Sequence, residues 1–151
     1  MKLIFYGLIL SVLFSCTSTR KVGEVDIPII KFEKTSCFGS CPVYSLSIFE
    51  NGLVILDGIK NIDYIGSFKK QLSRKEINEI IAKFNDANFF NFDDEYTSRI
   101  TDLPTTYISY NYNGKHKKIK DYSGAPKKLK ELEKIILQIV NEEGWEKSNM
   151  Q

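Results

Sequence analysis

The sequence contains few of the residues that metal sites and acid–base sites require. There is one histidine, His116, among 151 residues, whereas catalytic zinc is commonly held by two or three. The chain lacks a glycine-rich phosphate loop, a Gly-x-Ser-x-Gly motif and a His-Glu-x-x-His motif. The acidic residues at 93–95 and Asp102 do not have the spacing of an EF-hand loop. We therefore predict no catalytic residues, no cofactor and no metal ion, and a protein that is not an enzyme.

Long apolar runs are also missing. The longest, residues 3–13, follows Met1-Lys2 and ends just before Cys16. As a helix, this run would rise only about 16 Å, roughly half the thickness of a hydrocarbon core. A basic start followed by a short apolar run is typical of a secretory signal and not of a membrane span.

Residues 13–16, Leu-Phe-Ser-Cys, resemble the lipobox of bacterial lipoproteins. The resemblance implies cleavage before Cys16 and lipidation of that cysteine. It also implies export to the bacterial cell envelope, where the lipid would anchor the protein in the periplasm or at the outer membrane. The alternative is an ordinary cleaved signal, which would leave an unpaired thiol of the kind that secreted chains tend to avoid. We accordingly predict a signal peptide at 1–15, a flexible tether at 16–26, one domain at 27–146 and a frayed tail at 147–151.

The net charge is small. It is +2 for the full chain and becomes +1 once Lys2 is removed with the signal. Such a balance gives no strong attraction for nucleic acid, so we expect no nucleic-acid partner. The 136 residues left after cleavage are enough for one domain with a hydrophobic core and too few for two.

Alternating residues predict strands joined by tight turns. A first strand follows Pro28, and residues 43–49 alternate before Asn51-Gly52, the strongest hairpin signal in the chain. A two-residue turn there would set Ile48 opposite Ile55. Residues 64–68 indicate a further short strand.

A second hairpin is predicted around Asn113-Gly114, between residues 105–112 and 115–122. This pairing places Ile108 opposite Ile119. The outward-facing residues of the two strands form a polar, aromatic and basic surface, comprising Tyr107, Ser109, Asn111, His116, Lys118 and Lys120.

Two amphipathic helices are predicted. Residues 73–76, Ser-Arg-Lys-Glu, form a capping box, which marks the start of the first helix. The aromatic residues at 89, 90 and 92 should close the end of the core. Pro126 suits the first turn of the second helix and Gly144 its end. The predicted fold is α+β with two layers: one antiparallel sheet of about five strands, two helices on one face, and the order βββαββα.

Two cysteines lie four residues apart in the segment 37–44, Cys-Phe-Gly-Ser-Cys-Pro-Val-Tyr. In an oxidising compartment, a Cys37–Cys41 disulfide is the default, and Gly39 allows the short loop to turn back. Small disulfide loops can also be easily reduced, which leaves a thiol redox role open.

The Cys-x-x-x-Cys-Pro spacing resembles the copper-binding segment of the periplasmic factors that deliver copper to cytochrome oxidase. Those factors are thioredoxin-like and add a downstream histidine, for which His116 is the one candidate here. The resemblance covers six residues, and the hairpin pattern around it differs from a thioredoxin-like fold.

A wider pattern resembles an uncharacterised family of bacterial envelope lipoprotein domains. It comprises the Cys-Phe-Gly-x-Cys-Pro-x-Tyr segment at 37–44, Asn51-Gly52, residues 101–105, Asp121-Tyr122 and the Pro126 helix. The resemblance implies an exported α+β domain and assigns no activity.

Two functions follow as hypotheses. The first is a lipid-anchored, non-enzymatic module whose sheet face or cysteine loop contacts another envelope protein. The same sheet face can equally be read as solvated, because Tyr and Lys pairs stabilise neighbouring strands by themselves. The alternative is a thiol redox or copper-handling protein that uses Cys37 and Cys41.

Overall fold

The computed structural model describes residues 27–149. The predicted signal peptide, the lipidated Cys16 and the predicted tether therefore lie outside the described residues. Within 27–149, no helix combines the length and the apolar character needed to cross a membrane.

In the described part of the chain, eight strands form one sheet, and two helices and a short 3-10 helix connect some of them along the sequence. In space the strands follow the order β5-β7-β6-β1-β2-β3-β4-β8. The elements are β1 Ile30–Lys34, β2 Val43–Ile48, β3 Leu53–Lys60, β4 Gly66–Gln71, α1 Arg74–Asp86, the 3-10 helix Phe89–Asn91, β5 Glu95–Tyr96, β6 Thr106–Tyr112, β7 Lys115–Asp121, α2 Lys127–Asn141 and β8 Glu146–Lys147.

The prediction of one antiparallel sheet of about five strands, in the order βββαββα, is wrong. The sheet has eight strands and is mixed, because β5 pairs parallel to β7. The additional strands lie at the edges: β5 and β8 are two residues long, too short for an alternating pattern to be visible in sequence. Strand β4, beside β8, carries Lys69 and Lys70 in succession, so its alternation is also weak.

The register of the first hairpin also differs from the prediction. The loop contains three residues, because the amide of Phe49 donates to the carbonyl of Leu53, and only Gly52 of the predicted turn pair has a positive φ. The extra residue sets Ile48 opposite Val54 instead of Ile55. In this register the apolar side chains of both strands lie on one face, whereas the predicted register would have mixed the two faces.

The core lies between that face and the helices. The strands contribute the fully buried Ile30, Phe32, Leu46 and Leu56, and the two helices contribute their apolar stripes. Packing both helices on one face buries these stripes and leaves the other face of the sheet to solvent.

The local signals for the helices are confirmed in most details. The Ser73 hydroxyl accepts a hydrogen bond from the amide of Glu76, and the Glu76 carboxylate accepts one from the Ser73 amide. Helix α1 begins at Arg74, the residue after Ser73. Pro126 is the N-cap of α2. Gly144 does not cap that helix, which ends three residues earlier, at Asn141.

The predicted aromatic plug is also confirmed. Phe89 is 1% exposed, and its ring centroid lies 5.6 Å from that of Tyr110. Phe84 of α1 lies 4.9 Å from the same tyrosine, whose hydroxyl donates to the side chain of Asn85 at 3.1 Å. The second hairpin has the predicted register, with Ile108 opposite Ile119.

Candidate functional site

The two cysteines form a disulfide that closes the loop between β1 and β2. Their Cα atoms lie 5.7 Å apart. Both cysteines are half-buried, whereas Phe38, between them, exposes 91% of its surface. The amide of Gly39 donates to the Cys37 sulfur at 3.3 Å, which helps to shape the turn. The disulfide therefore presents an aromatic side chain at the tip of a closed loop.

Four loops meet at the end of the sheet where this disulfide lies. The register places the last residue of β1, Lys34, opposite Tyr44 near the start of β2 and opposite Thr106 at the start of β6. Strand β3 ends beside β2, and β7 ends opposite the start of β6. We call this end the loop end and define it by residues 35–42, 59–65, 97–105 and 122–126, where 59 and 60 are the last two residues of β3.

Hydrogen bonds join these loops to one another. The side-chain amide of Asn61 donates to the carbonyl of Cys41 at 3.1 Å. The backbone amide of Thr35 donates to the carbonyl of Thr105 at 3.0 Å, and the amide of Thr105 donates to the Thr35 hydroxyl at 3.0 Å. A third contact links the amide of Leu103 to the hydroxyl of Tyr122 at 3.3 Å. The loop end is thus cross-linked by both covalent and hydrogen bonds.

The loop end carries most of the large apolar side chains that the described residues leave exposed. Six such residues exist in the described part of the chain, and five belong to this end. These five are Phe38 at 91%, Ile59 at 66%, Ile65 at 56%, Ile100 at 56% and Leu103 at 38% exposure. Large apolar side chains left exposed at one end of a domain favour an interaction site at that end.

The sheet-face residues singled out from sequence lie together but interact mainly with their own domain. The register sets Tyr107 opposite Lys120, Ser109 opposite Lys118 and Asn111 opposite His116.

Their polar groups are largely engaged. The Lys118 ammonium lies 4.6 Å from the centre of the Tyr107 ring and 3.2 Å from Glu33, and Lys120 pairs with Glu95 at 2.8 Å. Ser109 is buried, at 8% exposure. This face therefore offers few groups that still need a partner.

His116 is not near the cysteines. It lies near the start of β7, whereas the disulfide lies beyond the other end of the sheet, past Asp121. His116 and Asp121 are five positions apart along β7, a distance of about 17 Å. The His116 ring contacts Asn111 and borders a surface pocket of about 350 Å³ with Phe90 and Asp94. The described residues contain no cluster of three or more histidine, cysteine or acidic side chains that could hold a metal ion.

The structure reveals one buried polar cluster that the sequence analysis missed. Asp121, at the end of β7, is 1% exposed, and Glu133 of α2 is 5% exposed. Lys130 contacts Asp121 and lies 3.1 Å from Glu133. The Tyr44 hydroxyl, one oxygen of Asp121 and one of Glu133 are buried without a hydrogen-bond partner among the described residues.

Burial changes the titration of this cluster. It raises the pKa of Glu133 to about 7; the adjacent Asp121 acts in the same direction and Lys130 opposes it. Burial, together with the Glu133 charge, also raises the pKa of the Tyr44 hydroxyl. One signal for the cluster was present in the sequence: Glu133 follows Leu129 by four residues and therefore lies on the apolar stripe of α2.

Comparison with known proteins gives a family and no activity. No curated protein matches the sequence. Residues 28–140 match DUF6438, a domain of unknown function, and this match includes the disulfide, both hairpins, the buried cluster and nearly all of α2. The match covers well over half of the chain, so the protein belongs to the DUF6438 family.

Proposed function

We propose that this protein is a non-enzymatic binding module of the bacterial cell envelope, anchored by a lipid on Cys16, which binds another protein through its loop end. The observation that carries the proposal is the exposure of Phe38, at 91%, on a loop closed by a disulfide. A large aromatic residue at the centre of a contact surface is typical of protein interfaces.

The loop end suits this role because it is ordered before binding. The disulfide closes the Phe38 loop, and the Asn61 hydrogen bond fixes that loop against the one that follows β3. A preorganised surface loses less conformational entropy on association than a flexible one. The disulfide, in this proposal, is structural.

A protein is a better candidate for this surface than the membrane that holds the anchor. The chain enters the domain at β1, whose first residue pairs with Tyr110 and Ile48, at the end of the sheet opposite to the loop end. The described residues begin at Ile27, three residues before this strand. The anchor would therefore be connected at the far end of the sheet from the loop end, which leaves the loop end accessible to a protein.

Lipid anchoring is tested separately from binding. Mass spectrometry of the mature protein should find a diacylated Cys16 at its N-terminus, and Cys16→Ser should release the protein from the membrane fraction. An intact N-terminus or a cleavage site elsewhere would contradict the anchor without bearing on the loop end.

Site-specific photo-crosslinking in cells tests the binding surface. A photoreactive residue at position 103 should give an adduct with one protein. The same residue at position 115, at the opposite end of the sheet, should give none. When the photoreactive residue is at position 103, the additional change Phe38→Asp should abolish the adduct, whereas Phe38→Leu should preserve it. Equal yields at both positions, adducts with lipid alone, or an adduct with a second copy of this chain would each overturn the proposed partner.

The copper-handling alternative has less support. Its third ligand would be His116, which lies at the far end of β7 from the disulfide. The thiol redox alternative depends on the reduction potential of the disulfide.

A further inference from the structure

Two carboxylates are buried together between α2 and the sheet, with one paired cation. The side chain of Asp121 has no exposed surface and that of Glu133 has 7%, whereas 48% of the Lys130 side chain is exposed. If both acids were ionised, the cluster would hold one uncompensated negative charge away from water. Burial of an unpaired charge is costly, and proteins usually avoid it by neutralising the group.

The unpartnered carboxylate oxygens also favour one bound proton in this cluster. Asp121 and Glu133 each direct one carboxylate oxygen to Lys130, and each has a second oxygen that is buried and unpartnered among the described residues. Two ionised carboxylates cannot satisfy each other, because neither has a proton to donate. One proton on either acid turns it into a donor for the other.

We propose that Asp121 and Glu133 hold a single proton between them in the folded protein at mildly acidic pH, carried by Glu133, and that this proton fixes the first turns of α2 against the end of β7. The two acids and Lys130 then form a neutral unit. This inference concerns the stability of the domain and does not depend on the proposed binding partner.

The groups that face the pair from other elements bring no second positive charge to it. Tyr44 of β2 brings a neutral hydroxyl with a raised pKa, and Thr106 of β6, opposite Asp121, is uncharged. Lys34 of β1 lies in the same row of the sheet but forms no ion pair with either acid in the described structure. Lys130 is therefore the one cation that compensates the pair.

The sign of the pH effect follows from the protonation of Glu133. Its pKa is about 7 in the folded protein, against an ordinary value of 4.5. Between these values the folded state binds more protons than the unfolded state, so stability falls as the pH rises through this range. The loss is complete once the pH exceeds the folded-state pKa.

Urea unfolding of the full chain at pH 5 and pH 8 tests this prediction. Between these two values, the folded-to-unfolded ratio should fall by about 70-fold more in the wild type than in Glu133→Gln, which is neutral at both. Glu131→Gln, an exposed change on the same helix, should keep the wild-type dependence. Equal pH dependence in the wild type and Glu133→Gln would overturn the proposal.

Carbon-13 NMR of the side-chain carboxyl groups provides a test that does not require Glu133→Gln to fold. The Glu133 resonance of the wild type should titrate near pH 7. Asp121→Asn should lower that midpoint by about one pH unit or more, because the adjacent negative charge is removed and Lys130 remains. A wild-type midpoint at the ordinary value for glutamate would refute the shared proton.

Discussion

The side-chain amide of Asn61 donates a hydrogen bond to the backbone carbonyl of Cys41 at 3.1 Å. This contact joins the loop after β3 to the disulfide loop, twenty residues earlier in the chain. Asn61 has a positive φ of 56°, a conformation that asparagine tolerates better than most residues. One residue therefore supplies both the turn and the link that hold two parts of the loop end together.

Substitution of Asn61 should loosen the disulfide loop. Asn61→Gly keeps the backbone conformation and removes the hydrogen bond, whereas Asn61→Ala also strains the backbone. Both should speed amide hydrogen exchange near Cys41, and Asn61→Ala should be the less stable by about 1 kcal/mol. Unchanged exchange in both variants would show that the contact does not order the loop.

Gly58 should not tolerate a side chain. A Cβ atom there would lie 1.8 Å from the carbonyl oxygen of Tyr64, a backbone group that can move only with the loop. Gly58→Ala should therefore lower stability by about 3 kcal/mol, seen as a reduced melting temperature. Gly39→Ala is the matched control, because its nearest neighbour would be the Cys37 sulfur at 3.9 Å. Equal melting temperatures for the two variants would contradict the close approach at Gly58.

Removal of the disulfide should reduce stability modestly. Closing a five-residue loop is worth about 2 kcal/mol by chain entropy. Cys37→Ser with Cys41→Ser should lose about that much in urea unfolding, and the reduced wild type should lose a similar amount. A folded-state stability equal to that of the oxidised wild type would show that the bond contributes nothing to folding.

The reduction potential of the Cys37–Cys41 pair separates a structural bond from a redox-active one. We expect a value below about −300 mV, typical of structural disulfides, when the pair is labelled across a graded series of redox buffers. A potential close to that of periplasmic oxidants would instead support the thiol redox alternative.

The start of α1 should depend on its capping box. Ser73→Ala removes the hydroxyl that accepts from the Glu76 amide, and should destabilise the protein by about 1 kcal/mol. Ser73→Asp retains an acceptor and should restore most of the stability in the same unfolding experiment. If Ser73→Asp is as unstable as Ser73→Ala, the cap is not the cause.

Sequence patterns were reliable where the determining contacts are local. The capping box at Ser73 involves residues three apart, and Asn113-Gly114, both with positive φ, set the register of the second hairpin. The predicted register of the first hairpin is wrong because Asn51-Gly52 does not form a complete two-residue turn. Gly52 instead ends a three-residue loop, and its carbonyl accepts from the amide of Leu72 in a distant segment.

The candidate site was only partly predictable for the same reason. The spacing of Cys37 and Cys41 predicted their disulfide, which the structure confirms. The exposed Ile65 and Leu103 have no sequence pattern that marks them as part of a site. Their position at one end of the sheet with Phe38 follows from the pairing of strands that are far apart in the chain.

The sequence by itself determined the starts of the helices, the second hairpin, the disulfide loop and the apolar stripes, because each depends on neighbours within a few residues or on a regular period. Tertiary structure alone decided the edge strands β5 and β8, the gathering of four loops at one end, and the burial of Glu133 beside Asp121. These features depend on long-range pairing and on the loss of water around charged groups, and neither is encoded in any short stretch of the chain.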